Sequence, residues 1–304
     1  RDSEGNTPLA YAAACGQIEA VNCLLEHGAD PSLKGQDGWS LLHFAAQSGN
    51  VTIIDTMLSK GLNIDSRGET RGLTPLLVSL KNDKLEAAKH LIVKGANVSL
   101  KFKAEMNALS IAAITGSVAA IKMLLPHGFY IDSRDADGNT PSLMAAKCGN
   151  TEALNYLLAK GADPLLQNNN EFGLLHLAAL SNNVATIEAV LSKKKFDINV
   201  RGSCMSLTPL LACLNMGNLE AANYLLKRGA DEHIKGKEGL TALSVAARSG
   251  NVAAIEMLVN RGHDPNSRDG CDKTPIMWAV ESGNRAAVEY LLRLTHEGLL
   301  PTTD

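Results

Sequence analysis

The chain has 304 residues, a formal net charge of −3, and 45% apolar but only 4% aromatic side chains. A balance so close to neutral gives no global field for nucleic acid or a membrane surface, although local columns of charge stay possible. No apolar run reaches the ~18 residues that span a bilayer, and no secretory signal is visible.

The elements follow one template from the start of the chain. NTPLAYAAACG, Asn6 to Gly16, reads as a capped short helix ended by glycine, and the full unit is clearest in GNTPSLMAAKCGNTEALNYLLAKGADPLLQNNN, Gly138 to Asn170. Thr140 can cap free amides and Pro141 at the first helical position loses no hydrogen bond. Leu143, Met144, Ala145 and Ala146 form a first helix whose small alanines let another helix approach closely, and Gly149 terminates it. Asn150 then caps a second helix with Leu154, Leu157 and Leu158 on one face, Gly161 ends it, and Ala162-Asp163-Pro164 turns the chain into a projecting loop.

Nine copies begin at Gly5, Gly38, Gly72, Glu105, Gly138, Glu171, Ser206, Gly239 and Asp272, which subtraction places 33 to 35 residues apart. The predicted units are 5–37, 38–71, 72–104, 105–137, 138–170, 171–205, 206–238, 239–271 and an incomplete or capping 272–294, with a tail at 295–304. Length alone suggests about two domains at roughly 150 residues each. A stack in which each unit touches only its neighbours overrides that rule, so the expectation is a single elongated domain over 1–304. Arg1 aligns with Arg134 in mid-loop, and Ile18, Val21, Leu24 and Leu25 have ordinary core spacing, so at least one further upstream unit is expected.

A longer period is superposed. LLHFAAQSGNVTIIDTMLSKG at Leu41 returns as LLHLAALSNNVATIEAVLSKK at Leu174, and LTPLLVSLKNDKLEAAKHL at Leu73 returns as LTPLLACLNMGNLEAANYL at Leu207. Duplication of a four-unit block explains this, and a feature shared by equivalent positions can then be inherited without being needed. Irregular places are Asn82-Asp83 and Asn182-Asn183, which replace the glycine turn and should still turn. At Pro126 and at Lys193-Lys194-Lys195 a second helix should tighten or fray, and after Leu292 the glycine stop is missing.

A period near 33 with T-P-L-H-x-A at the first helix resembles the ankyrin-repeat family, and the resemblance covers almost the full length. It rests on NTPLAYAAACG, LLHFAAQSGN (Leu41 to Asn50), NTPSLMAAKCGN, LLHLAAL (Leu174 to Leu180) and LLKRGAD (Leu225 to Asp231). It implies an all-α solenoid of stacked helix-turn-helix units with projecting β-hairpin-like loops and a concave binding face. Nine layers at 8 to 10 Å each would span on the order of 80 Å.

The residues offer little chemistry. Cys15, Cys23, Cys148, Cys204, Cys213 and Cys271 show no C-x-x-C and no metal-ligand spacing, which suits reduced thiols in an intracellular, cytoplasmic setting. His43 and His176 fall on the T-P-L-H histidine, for which the resemblance implies a structural hydrogen bond between neighbouring repeats. His27 and His127 precede the glycine after a second helix, where a cation suits the dipole. Cys23 and His27 are four apart on one helix, and two ligands make no metal site. No phosphate-binding loop, H-E-x-x-H or paired-carboxylate motif is present, so neither an enzyme nor a cofactor is expected.

The resemblance implies a protein-interaction scaffold or adaptor holding a peptide segment or a folded domain, with nucleic acid not expected and a membrane reached only indirectly. The position before the first-helix threonine faces the groove in the family. Here it is apolar in two runs, Trp39-Leu73-Met106 and Phe172-Leu207-Leu240, split by Asn139. These form either two exposed binding patches or side chains that lie flat on the next loop and stiffen the row. A second expectation is a basic loop column, Lys34, Arg67, Lys101, Arg134, Arg201, Lys235 and Arg268, with Arg1 in register. Recognition of phosphoinositide or nucleic acid through it is the alternative function, weakened by Asp37, Asp65, Asp135 and Asp269 nearby.

Overall fold

The structure is a computed structural model that describes residues 1–193 and 196–297. Among the described residues there are nine helix pairs and no strand, one pair for each expected unit. The residues divide into two compact units, 1–145 with 152–162, and 146–151 with 163 onward.

In the first unit the pairs are α1 (Pro8–Ala14) with α2 (Ile18–Glu26), α3 (Leu41–Ser48) with α4 (Val51–Ser59), α5 (Pro75–Lys81) with α6 (Leu85–Val93), and α7 (Ala108–Thr115) with α8 (Val118–Leu124), followed by most of α9 (Pro141–Lys147) and α10 (Thr151–Ala159). Helices this short are marginal alone and depend on packing. First helices stack on first helices, α1 on α3, α3 on α5 and α5 on α7, and second helices form a parallel layer behind them. Ala45, Ala46, Ala112 and Ala113 are fully buried in the front layer, and Ile53, Met57, Leu91 and Ile121 fill the space between layers.

The second unit repeats the scheme with α11 (Leu174–Leu180), α12 (Val184–Leu191), α13 (Pro209–Met216), α14 (Leu219–Lys227), α15 (Ala242–Ser249), α16 (Val252–Asn260), α17 (Pro275–Glu281) and α18 (Arg285–Glu297). The irregular sequences have physical outcomes. Asp83 and Asn182 both adopt left-handed φ, 51° and 57°, so the polar pairs do turn, the third repeat using its aspartate and not its asparagine. Pro126 tightens the chain into a 3-10 turn over Leu125–His127 before left-handed Gly128. Without a glycine stop, α18 continues to Glu297, giving 13 residues where the earlier second helices have 7 to 9. Lys194 and Lys195 of the lysine run lie outside the described residues.

Asparagine links consecutive repeats. Asn50 Oδ1 accepts from the Ile53 amide at 3.1 Å as the cap of α4, while its Nδ2 donates to the Gly16 carbonyl one repeat earlier at 3.0 Å. Asn251 does the same, accepting from Ala254 at 3.0 Å and donating to the Gly217 carbonyl at 3.1 Å. One side chain thus satisfies a free amide at a helix start and a free carbonyl at a turn.

Candidate functional site

These loops close on the residue before the first helix's N-cap, so that residue's placement is set by backbone geometry. Gly35 donates to the Trp39 carbonyl at 2.9 Å, Gly68 to Leu73 at 2.9 Å, Phe102 to Met106 at 2.9 Å, Asn168 to Phe172 at 3.1 Å, Gly202 to Leu207 at 3.0 Å and Gly236 to Leu240 at 2.8 Å. Successive loop tips also join directly, Glu69 donating to the Asp37 carbonyl, Lys103 to Arg71 at 3.1 Å and Ala136 to Ala104 at 2.9 Å. Side chains at the loop base are therefore held between one loop and the next.

This placement corrects the expectation of two exposed apolar patches. Leu73, Leu207 and Leu240 are only 4%, 5% and 2% exposed. At Leu207 the next loop folds down on the side chain through Gly236, which also sits against Leu240 of its own loop. Trp39, Met106 and Phe172 are half-buried. The indole of Trp39 lies against Gly68 of the following loop and the phenyl ring of Phe172 against Gly202. For this row the stiffening alternative describes most of the contact.

Trp39, Leu73 and Met106 nonetheless border open space. Two adjoining hollows of about 400 and 120 Å³ lie between the loops of repeats two to four and helices α5 and α7. Trp39, Gly68 and Thr70 line the first, Phe102, Met106, Ile111 and Ile114 the second, and Arg71, Leu73 and Lys81 belong to both. Ile114 is 40% exposed. Asp37 also lines the first hollow, and its carboxylate accepts from Thr70 Oγ1 at 2.6 Å. Among the described residues neither Arg71 nor Lys81 is in an ion pair. An apolar floor with two such cations suits a segment that carries both apolar and acidic side chains.

Sequence reasoning missed Arg71, Lys81, Phe102, Ile111 and Ile114. Ile114 had a readable signal, an isoleucine at the first-helix position where the third and fifth repeats have Lys81 and Lys147. A separate groove of about 490 Å³ opens between α6 and α8, with Val93 at its edge, and its wall carries both Glu86 and Lys89.

The basic column serves the loops themselves. Arg1 Nη1 donates to the Lys34 carbonyl at 2.9 Å, Arg67 to the Lys101 carbonyl at 2.9 Å and Arg201 to the Lys235 carbonyl at 3.0 Å. Arg134 and Arg268 donate to the carbonyls of Gly138 and Asp272 in their own loops. Lys34 pairs with Glu69 at 3.6 Å, Lys101 with Glu105 at 3.0 Å and Arg268 with Asp272 at 2.9 Å. The cations are drawn onto carbonyls and carboxylates, which lowers the field that an anion would meet.

The histidines at the head of α3 and α11 are structural. His43 Nε2 donates to the Leu73 carbonyl at 2.9 Å and His176 Nε2 to the Leu207 carbonyl at 3.1 Å, each in the next repeat. Burial pushes both imidazoles below the usual histidine range, against a smaller opposing effect of those carbonyls. Burial also pushes the Cys213 thiol up to about 12, the reverse of an activated nucleophile. Among the described residues no three His, Cys, Asp or Glu side chains converge on a metal position, and no helix is long and apolar enough to cross a membrane.

Profiles described as ankyrin repeats match residues 1–52, 31–102, 76–168, 144–236 and 210–299. The chain belongs to the ankyrin-repeat family. Ankyrin repeats generally mediate protein–protein interaction, and the fold is typically non-catalytic. Among similar proteins, human transient receptor potential cation channel subfamily A member 1 is 29% identical over 62% of this chain. The ankyrin repeat and KH domain-containing protein mask-1 of Caenorhabditis elegans is 27% identical over 77%, and the NF-kappa-B inhibitor delta of Mus musculus 29% identical over 58%. The matched region spans 18%, 9% and 63% of those relatives' lengths.

Proposed function

We propose that this ankyrin array is a non-enzymatic interaction module that holds a polypeptide segment of a partner protein in the groove between repeats two and four. Trp39, Leu73 and Met106 form its floor with Phe102, Ile111 and Ile114, and Arg71 and Lys81 supply its charge. The observation that carries the reading is this pairing of an apolar floor with two cations that stand outside any ion pair among the described residues. Partly exposed aromatic and apolar anchors dominate interface energies, and flanking charge sets partner choice and encounter rate. The relative named as an inhibitor of NF-kappa-B is itself described by the protein it acts on, in keeping with a protein partner here.

The test is selection from a displayed library of random 12-residue peptides. Enrichment of sequences with an apolar anchor flanked by Asp or Glu is expected, with at least tenfold weaker binding to Arg71→Glu/Lys81→Glu at an unchanged melting temperature. Peptides without acidic residues, or equal binding to that variant, would overturn the reading.

A further inference from the structure

The third and fourth repeats expose apolar side chains on the second-helix layer that the fold does not call for. Val93, which ends α6 and lines the groove of about 490 Å³ between α6 and α8, is 76% exposed. Tyr130, three residues beyond the groove residue His127, is 71% exposed. The four-unit duplication supplies a control: the corresponding positions of the seventh and eighth repeats hold Lys227 and Asp264, and α14 and α16 form there all the same. Inheritance and folding therefore leave Val93 and Tyr130 unexplained. Tyr130 also gives up a local bond. Loops elsewhere have Asp or Asn at its position, and the side chains of Asp30, Asn97 and Asp264 accept from the amide two residues on at 2.8, 3.0 and 2.9 Å, a turn that tyrosine cannot make. Apolar surface kept exposed against local hydrogen bonding marks an interaction site.

We infer that the groove between α6 and α8 binds an amphipathic helix of a partner protein. The groove residues Leu85, Lys89 and Ile92 on α6, and Ala119, Met123 and His127 on α8 and the turn after it, recur every three or four residues. Each wall is thus one helix face running for two turns, about 11 Å. A trough between two helix faces accepts the side-chain ridge of a third helix, whose anchors recur at the same spacing. Ala119 gives it room, since α6 carries Glu86 at the same repeat position, and Pro126 ends α8 after seven residues where α6 has nine. Charge sets the flanks. Glu86 and Lys89 stand one turn apart on the α6 wall, and among the described residues neither is in an ion pair. The complementary helix carries a basic and an acidic residue one turn apart beside its apolar stripe. Lys89 disfavours the wholly cationic face of a membrane-binding helix. The groove belongs to the second-helix layer and the peptide hollows to the loops and first helices, so either reading can fail without the other.

The probe is a displayed library of 18-residue helix-forming peptides randomised along one face. Enrichment of apolar residues at i, i+4 and i+7 is expected, with an acid and a base beside them. Val93→Lys/Tyr130→Asp installs the residues that the duplicate repeats fold with, so its melting temperature should not fall, and it should bind the selected peptides at least tenfold more weakly. Arg71→Glu/Lys81→Glu, which disables the loop-side hollows, should bind them unchanged. Glu86→Lys/Lys89→Glu should weaken binding at least threefold, and exchanging the two charges of the peptide should restore it. A proline at the centre of a selected peptide should abolish binding. Absence of enrichment, equal binding by Val93→Lys/Tyr130→Asp, loss of binding in Arg71→Glu/Lys81→Glu, or equal binding of the proline peptide would each overturn the inference. So would self-association of the chain in sedimentation that Val93→Lys/Tyr130→Asp abolishes, which would assign the groove to a second copy.

Discussion

The indole of Trp39 stacks on the imidazole of His43, ring centres 5.5 Å apart and planes 22° from parallel, and the same indole covers Gly68 in the following loop. Phe172, His176 and Gly202 repeat the arrangement at 4.8 Å and 3°. Each glycine is needed for space and not for φ, since a Cβ at Gly68 would lie 2.9 Å from Trp39 Cδ1 and one at Gly202 2.5 Å from Phe172 Cδ1. Gly68→Ala and Gly202→Ala should therefore each destabilise by about 1–3 kcal/mol through overpacking. Urea titration checks the loss, and near-ultraviolet dichroism should report the displaced rings.

The double duty of Asn251 gives a second expectation. Asn251→Ala removes the α16 cap and leaves the Gly217 carbonyl without its donor, so the losses of a cap and of one hydrogen bond combine to about 1–3 kcal/mol. Asn251→Asp keeps the cap and lacks the amide donor, and should recover part of that stability. Equal midpoints for Asn251→Asp and the unaltered chain would show that the link between repeats contributes nothing.

Helix count and turn positions were legible because they depend on local signals. Thr74-Pro75 starts a helix, Gly49 ends one, and Asn182 can take the left-handed conformation that glycine usually fills. The groove was only half legible. Trp39 and Met106 could be placed at its edge from their repeat position, whereas the burial of Leu207 depends on how closely the following loop approaches at Gly236, 29 residues further along the chain. The difference between the two buried histidines was hidden for a similar reason: Ser40 donates to His43 Nδ1 and Ser66 bonds Ser40, whereas Gly173 and Val200, 27 residues apart, take those places beside His176, whose Nδ1 has no side-chain or backbone donor.

The buried histidines predict acid lability. Burial lowers the folded-state pKa of His43 and His176 below the unfolded value near 6.5, so the folded state favours the neutral ring. Their contribution is fully present above that unfolded value and is lost as pH falls below it toward the folded pKa. The melting temperature should stay nearly level from pH 8 to 7 and decline below about pH 6.5. His43→Gln/His176→Gln should melt earlier at pH 7 and show a shallower decline, and an undiminished slope would assign the acid response to other groups.

The arginine column makes the last prediction, because its two readings separate in one pair of measurements. If Arg67 and Arg201 chiefly join loops, their value lies in donating to the Lys101 and Lys235 carbonyls one repeat on. Such exposed bonds contribute about 0.5–1 kcal/mol each, so Arg67→Gln/Arg201→Gln should lower the unfolding free energy by about 1–2 kcal/mol in urea. A column that bound phosphates would instead give tight association with vesicles containing phosphoinositide, falling steeply between 50 and about 200 mM salt. With Lys34, Lys101 and Arg268 already facing Glu69, Glu105 and Asp272, the expected vesicle binding is weak even at low salt and nearly the same for the variant. Strong, salt-sensitive binding that the double substitution removes without loss of stability would assign the column to an anionic partner.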